Sequence, residues 1–189
     1  MADDPDMLRV LLVDDNPDDR ALILRELRRE FPRIEVDQVS REAELAGRIQ
    51  AGNYDIAITD YHLNWSDGVS VLNAIKAHHP GCPVIMFTAT GTEEIAVRAM
   101  KAGLDDYVIK NPHHLKRLST AVQFAIDRSR QRESARATAQ RLRAIFENAP
   151  IGLYRITPDG QILEANPALA QIAGCPDLET LFRHNAADF

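Results

Sequence analysis

A chain of 189 residues that is 45% hydrophobic and 26% charged can fold one full domain and part of a second, and is too apolar to be disordered. Its longest apolar runs are strand-sized, far short of the ~18 residues of a membrane span. The acidic opening Met1-Ala2-Asp3-Asp4-Pro5-Asp6 has neither the basic nor the apolar segment of a secretory signal.

The net charge of −6 is uneven: −6 over 1–120, +3 over 121–147 and −3 over 148–189. The basic stretch lacks interleaved aromatics and is rich in Arg, Gln and Ala, so it reads as a solvated helix, and no direct nucleic-acid binding is expected. Cys82 and Cys175 are far apart and read as unpaired thiols of a reducing, cytoplasmic compartment. The six histidines, at 62, 78, 79, 113, 114 and 184, form no zinc pattern.

In chain order, Leu8-Arg9-Val10-Leu11-Leu12-Val13 reads as a strand stopped by Asp14-Asp15-Asn16-Pro17, with Pro17 opening a helix. That helix carries Leu22, Ile23 and Leu27 on one face and ends at Phe31-Pro32. Residues 34–39 alternate at period two, as in a half-buried edge strand. Ser40 is expected to cap a helix running from Glu42 to Gln50. Asp55 to Thr59 is a short apolar strand that delivers Asp60 at its tip. A loop over 61–67 is expected, with Trp65 exposed, before a helix from Gly68 to Ala77 that turns Val71, Leu72 and Ile75 inward. Pro83 to Phe87 is a fourth strand, broken by Thr88-Ala89-Thr90-Gly91. Thr92 with Glu93-Glu94 starts a helix that ends at Lys101-Ala102-Gly103. Asp106 to Ile109 is the fifth strand, closed by Lys110-Asn111-Pro112, and a long helix begins near His113.

Five alternations of strand and helix imply right-handed βαβ units and a parallel sheet covered on both faces. No glycine-rich phosphate loop or GxGxxG follows the first strand, which argues against a dinucleotide or P-loop site. The carboxyl ends of such strands share one edge. The first brings Asp14-Asp15 there, the third Asp60, the fourth Thr88 and the fifth Lys110. Singly, each has an ordinary explanation: helix caps, a turn hydroxyl, a solvated helix-end charge. Together they form an acidic pocket with one ammonium. Clustered carboxylates repel unless a cation joins them, and a hard ion such as Mg²⁺ suits oxygen donors. Asp60 then serves as nucleophile toward phosphorus, Lys110 as a point charge and Thr88 as a hydrogen-bond donor.

Residues 8 to about 127 resemble the receiver domain of two-component response regulators. The resemblance is carried by Leu12-Val13-Asp14-Asp15-Asn16, Thr59-Asp60, Asp67-Gly68, Thr88-Ala89, Ala102-Gly103-Leu104-Asp105-Asp106-Tyr107 and Lys110. It implies a flavodoxin-like, doubly wound five-stranded α/β fold with strand order 2-1-3-4-5. It also implies that Asp60 takes phosphate from a phosphohistidine on a sensor histidine kinase or phosphotransfer protein. Asp15, Asp60 and the main-chain carbonyl of His62 would ligate Mg²⁺, with Asp14 acting mainly through water. Thr88 and Tyr107 would form a switch pair; the plainer reading of Tyr107 is a strand aromatic packed on helices. This sequence departs from the family in placing Asn111 after Lys110, which delays proline to Pro112 and leaves a cis Asn111–Pro112 bond open. Its loop 63–66 also lacks the proline common after the phosphoacceptor.

No proline or glycine interrupts Leu115 to Glu147. Leu115, Leu118, Val122, Ala125 and Ile126 are the expected buried positions. Ala135, Ala139, Leu142 and Phe146 fall at four-three-four spacing, a weak coiled-coil seam for a homodimer. Beyond it, 145–153, the turn Thr157-Pro158-Asp159-Gly160 and the helix entry Glu164-Ala165-Asn166-Pro167 resemble the start of a PAS domain. The expected organisation is a receiver over 1–127, a helical linker over 128–147 and a truncated α+β PAS-like segment over 148–189, whose two strands are not expected to close a core. A Mg²⁺-dependent phosphatase of the haloacid-dehalogenase type would need its nucleophile after the first strand and an Asp at position 16; Asn16 stands there. A phosphate-independent, receiver-like scaffold is the remaining alternative, opposed by the full acidic, Thr and Lys set. The chain itself is expected to be a switch, not a turnover enzyme.

Overall fold

The computed structural model describes residues 7–89, 92–111 and 115–183. The chain divides into two compact units, Met1–Gln131 and Arg132–Phe189. Four sequence expectations fall on residues outside those described: the acidic N-terminus, the break at Thr90-Gly91, the Asn111–Pro112 bond, and the start of the last long helix.

The first unit is built on five parallel strands: β1 (Leu8–Val13), β2 (Ile34–Val39), β3 (Ile56–Thr59), β6 (Val84–Thr88) and β7 (Asp106–Ile109). Their order is β2-β1-β3-β6-β7, the expected doubly wound arrangement. The central strands are apolar throughout because both of their faces are covered. Along β1, Val10 and Leu12 join one core with Ile23, Leu27, Ile58, Phe87, Leu118 and Val122. Leu11 and Val13, one residue out of phase, join the other with Ile49, Ala57, Leu72, Ile75, Met86 and Ala99. Period-two side-chain alternation thus serves two cores from one strand. Truncating Leu12, fully buried at the centre, would cost ~2–5 kcal/mol. The edge strand β2 is only partly covered, and its mixed sequence follows from that.

Helix α1 (Pro17–Glu30) starts at Asn16, whose side chain accepts from the Asp18 N–H. Helix α3 (Gly68–His78) is capped by Asp67, and α4 (Glu93–Lys101) by Thr92. Helix α2 (Glu42–Ala51) departs from expectation. Its N-cap is Arg41, without a side-chain cap bond, and not Ser40. Glu44 reaches back to accept from the Ser40 N–H at 3.1 Å, which leaves Ser40 one residue outside the helix. The expected loop over 61–67 contains a two-stranded antiparallel ribbon, β4 (His62–Leu63) with β5 (Ser66–Asp67). Trp65 is half-buried, not exposed: it packs on the second core and its Nε1–H donates to the Ser40 carbonyl at 3.1 Å. An indole with a reachable acceptor and an apolar wall stays out of water.

Helix α5 (Leu115–Asn148) buries Leu118, Val122, Ala125 and Ile126 as expected, with Leu115 partly covered. It also buries Ser119, whose hydroxyl donates to Glu26 on α1 at 3.3 Å. From residue 131 to 145 every α5 side chain is exposed. Of the expected seam, Ala135, Ala139 and Leu142 are exposed. Ile145 is 58% exposed and Leu142 62%, whereas Phe146 is half-buried.

In the second unit, β8 (Tyr154–Ile156) pairs antiparallel with β9 (Ile162–Ala165), followed by α6 (Pro167–Ile172) and α7 (Leu178–Leu181). Gly160 turns the hairpin at φ 88°, a conformation glycine adopts without a Cβ penalty. Contrary to expectation, this short segment closes a small core of Ile162, Ala165, Ala170 and Leu181. Two short helices supply what two strands alone lack. Asn166, fully buried, binds the unit's turns together. Its Nδ2 donates to the carbonyls of Ile151 at 2.9 Å and Phe146 at 3.1 Å, and its Oδ1 accepts from the N–H groups of Leu153 at 2.9 Å and Leu169 at 3.1 Å.

Candidate functional site

The parallel register brings four strand ends to one edge. Val13 pairs with Thr59, so Asp14 and Asp60 follow side by side; Thr88 pairs with Ile109, so Lys110 follows beside Thr88. The Asp60 N–H donates to the Val13 carbonyl at 2.9 Å, and the Lys110 N–H donates to the Thr88 carbonyl at 2.7 Å. The backbone ladder therefore sets these positions before any side chain acts.

Lys110 is the hub. Its ammonium donates to Asp60 Oδ2 at 2.6 Å, Asp14 Oδ2 at 2.7 Å and Asp19 Oδ2 at 2.8 Å, and lies 5.9 Å from the centre of the Phe87 ring. Burial by itself would pull its pKa down, but the bonds to the three carboxylates outweigh burial and hold it above the ordinary lysine range. Asp14 is 1% exposed, and burial raises its pKa against the opposing pull of Lys110. Three carboxylates sharing one ammonium leave the pocket with surplus negative charge.

The carboxylates at the strand ends also have backbone partners. Asp14 Oδ1 accepts from the Asn16 N–H at 2.8 Å. Asp60 Oδ1 accepts from the Tyr61 N–H at 2.5 Å and the His62 N–H at 3.3 Å, which places the His62 main chain beside the pocket. Asp15 stands apart from the lysine cluster: its Oδ2 accepts from the Asn64 N–H at 2.6 Å, tying the first loop to the β4–β5 ribbon. Glycine at 68 has a steric cause. A Cβ there would meet the Asp60 carbonyl oxygen at 2.5 Å, so the chain leaving the ribbon passes too close to Asp60 for a side chain.

Thr88 is buried, and Tyr107 is half-buried against the second core. Tyr107 pairs with Met86, two residues before Thr88 on β6, so the two side chains share a sheet face. Burial, then the nearby Asp60 charge, raises the Tyr107 pKa, which keeps its phenol neutral. The strand-end residues Asp14, Asp60 and Lys110 thus meet directly, while Asp15 faces the ribbon.

Asp19 is the participant that sequence reasoning missed. It lies in the first turn of α1, not at a strand end, and looks there like a helix-dipole acid. No local pattern marks it, because an acid in a first helical turn already has a sufficient role there. Carboxylate oxygens of Asp14, Asp19 and Asp60 lie within 4.8 Å of one another. An all-oxygen, anionic donor set of this kind fits a hard divalent ion.

Comparison with known proteins follows the same outline. Residues 10–123 match the family described as response regulator receiver domain, and residues 140–189 match a PAS domain family. The transcriptional regulatory protein ResD of Bacillus subtilis is 28% identical over 162 residues, 84% of this chain and 66% of ResD. Two further curated relatives are matched over only 32% and 31% of their length, so the chain spans less than two thirds of the relatives it resembles. Among solved structures, a CheY-like receiver domain from Methanospirillum hungatei superposes with a TM-score of 0.60 at 25% identity, covering 67% of this chain and 98% of that one. The response regulator TrrA of Thermotoga maritima, solved in complex with Mg²⁺ and BeF, superposes with a TM-score of 0.53 at 29% identity, covering 61% of this chain and 99% of that one.

Proposed function

Because this chain belongs to the response regulator receiver family, we propose that it is the phosphoacceptor module of a two-component or phosphorelay protein, with Asp60 as the residue that takes the phosphoryl group. The observation that carries this reading is the Asp14–Asp60–Lys110 constellation, with the Lys110 ammonium 2.6 Å from Asp60 Oδ2 at the carboxyl edge of the sheet.

The donor is a phosphohistidine on a sensor histidine kinase or a phosphotransfer protein. A carboxylate oxygen of Asp60 attacks phosphorus, the P–O bond forms and the P–N bond breaks. The imidazole nitrogen leaves with the electron pair and is reprotonated. Asp14, Asp15, Asp60 and the His62 main-chain carbonyl are the groups that would hold Mg²⁺. The bound ion supplies neutralisation of negative charge on the phosphoryl oxygens. Lys110 adds a second positive charge, prepared by its three carboxylate contacts. Thr88 donates its hydroxyl to a phosphoryl oxygen, and Tyr107, on the same sheet face, turns inward behind it. This is stoichiometric switching and not turnover.

The proposed organisation is the receiver over 1–127, a linker helix over 128–147 and a PAS-like segment over 148–189, acting in the cytoplasm; no helix among the described residues is long and apolar enough to cross a membrane. The exposed positions Ala135, Ala139 and Leu142, with half-buried Phe146, have the four-three-four spacing of a coiled-coil seam and support a homodimer through this helix. Sedimentation should show a concentration-dependent dimer; a monomer at all concentrations, with and without phosphorylation, removes this part of the reading.

With Mg²⁺ and a small phosphodonor or beryllofluoride, the chain should gain one adduct by mass or NMR, and Asp60→Asn should abolish it. Equal responses from wild type and Asp60→Asn would exclude Asp60 as the acceptor.

A further inference from the structure

Lys110 stands on the same oxygens that a divalent ion needs. Its ammonium meets Oδ2 of Asp14 at 2.7 Å and Oδ2 of Asp60 at 2.6 Å. The other oxygen of each carboxylate is already engaged by backbone N–H groups, from Asn16 on Asp14 and from Tyr61 and His62 on Asp60. A cation entering between these carboxylates therefore competes with the lysine for both Oδ2 atoms. Expelling the lysine is a poor solution, because its side chain is only 9% exposed and a buried ammonium without a partner is costly.

The third N–H of the ammonium goes to Asp19 Oδ2 at 2.8 Å. Lys110 is the only hydrogen-bond partner of the Asp19 side chain among the described residues. At 31% exposed, Asp19 is the most solvated of the three carboxylates. It lies in the first turn of α1, at the positive end of the helix dipole. It can keep the lysine without being drawn into another bond.

We propose that Asp19 is a positioning residue of this site: it retains the Lys110 ammonium when Asp14 and Asp60 are needed for Mg²⁺, so that lysine and cation can occupy the pocket together. The inference rests on the phosphoacceptor reading of Asp60 and adds a residue to it. Without the Asp19 carboxylate, the lysine falls back on Asp14 and Asp60 and competes with the ion there. At a separation of a few ångströms in a partly solvated pocket, this weakens Mg²⁺ about tenfold.

The test uses the full chain as wild type, Asp19→Asn, Asp19→Glu and Asp18→Asn. Two quantities are read: the Mg²⁺ dissociation constant by calorimetry, and the Mg²⁺ midpoint of beryllofluoride adduct formation. Asp18 is the control, since it is exposed, adjacent in sequence and makes no side-chain bond to the pocket among the described residues. Asp19→Asn should raise both quantities about tenfold while the adduct still forms at saturating Mg²⁺. Asp18→Asn should stay within about twofold. Asp19→Glu, which keeps the charge, should stay within about threefold and guards against a folding defect peculiar to Asn. An unshifted Asp19→Asn, or equal shifts in Asp18→Asn and Asp19→Asn, overturns the proposal, as does a wild type that binds no Mg²⁺. A wild type whose Mg²⁺ affinity depends on Asp19 but which forms no adduct at Asp60 overturns the phosphoacceptor reading alone.

Discussion

Asp14 and Asn166 are both buried, at 1% and 0% exposure, and both sit where a strand hands over to a helix, yet they do different work. Asn166 is neutral, and both ends of its amide are used on backbone groups of its own unit. Nothing remains for a ligand, so the residue is structural. Asp14 is an anion in a cluster of carboxylates sharing one ammonium, and burial already presses its pKa upward. Its surroundings do not balance its charge. A buried polar group whose bonds and charge are fully met holds a fold together; one left with surplus charge invites a cation or a phosphoryl group.

Three substitutions bear on this contrast. The largest effect is expected for Lys110→Ala. It removes the ammonium that Asp14, Asp19 and Asp60 share, and phosphorylation of Asp60 from a small donor should slow about 10²–10³-fold, read as adduct formation rate. A rate within a few fold of wild type would mean that the ammonium only balances charge in the resting fold. Next comes Asn166→Ala, which leaves several buried backbone groups of the second unit without partners. It should cost that unit ~3 kcal/mol, seen as lost hydrogen-exchange protection over 150–181, while adduct formation at Asp60 persists. Loss of the adduct as well would show that the two regions are not energetically separate.

The smallest effect concerns pH. The folded pKa of Asp14 is raised, so its ionised form is disfavoured in the native state. That cost is present above the folded pKa and disappears as pH falls through it toward the ordinary carboxylate value. Asp14→Asn should therefore gain most over wild type in urea unfolding near neutral pH, with the gain shrinking at acid pH. Lys110 has the opposite dependence. Its raised pKa contributes stability that is complete below the ordinary lysine value and lost as pH rises through the folded one. A gain for Asp14→Asn that grows on acidification would contradict the charge-surplus account.

Much of the pocket was legible before any coordinates. Asp14, Asp60, Thr88 and Lys110 each end an apolar run, and apolar runs separated by helical spacing make a parallel sheet whose ends share an edge. Local signals also placed helix starts at Pro17, whose fixed φ suits a first helical turn, and at Thr92, whose short polar side chain can meet backbone N–H groups. Expectation failed where a side chain's role depends on a distant partner. Trp65 reads as exposed from its polar neighbours, but its indole finds the Ser40 carbonyl 25 residues back.

The sequence by itself determined the alternation of strands and helices, the covered faces, and the carboxylate, hydroxyl and ammonium at the strand ends, since these follow from periodicity and from residues adjacent in the chain. Only the tertiary structure decided which carboxylates share the lysine. Asp15 is nearer the strand than Asp19, yet it turns to the Asn64 N–H while Asp19 reaches Lys110, 91 residues away in sequence. Contacts of that range depend on how a helix start and a ribbon are set against one sheet edge, and no local pattern encodes that placement.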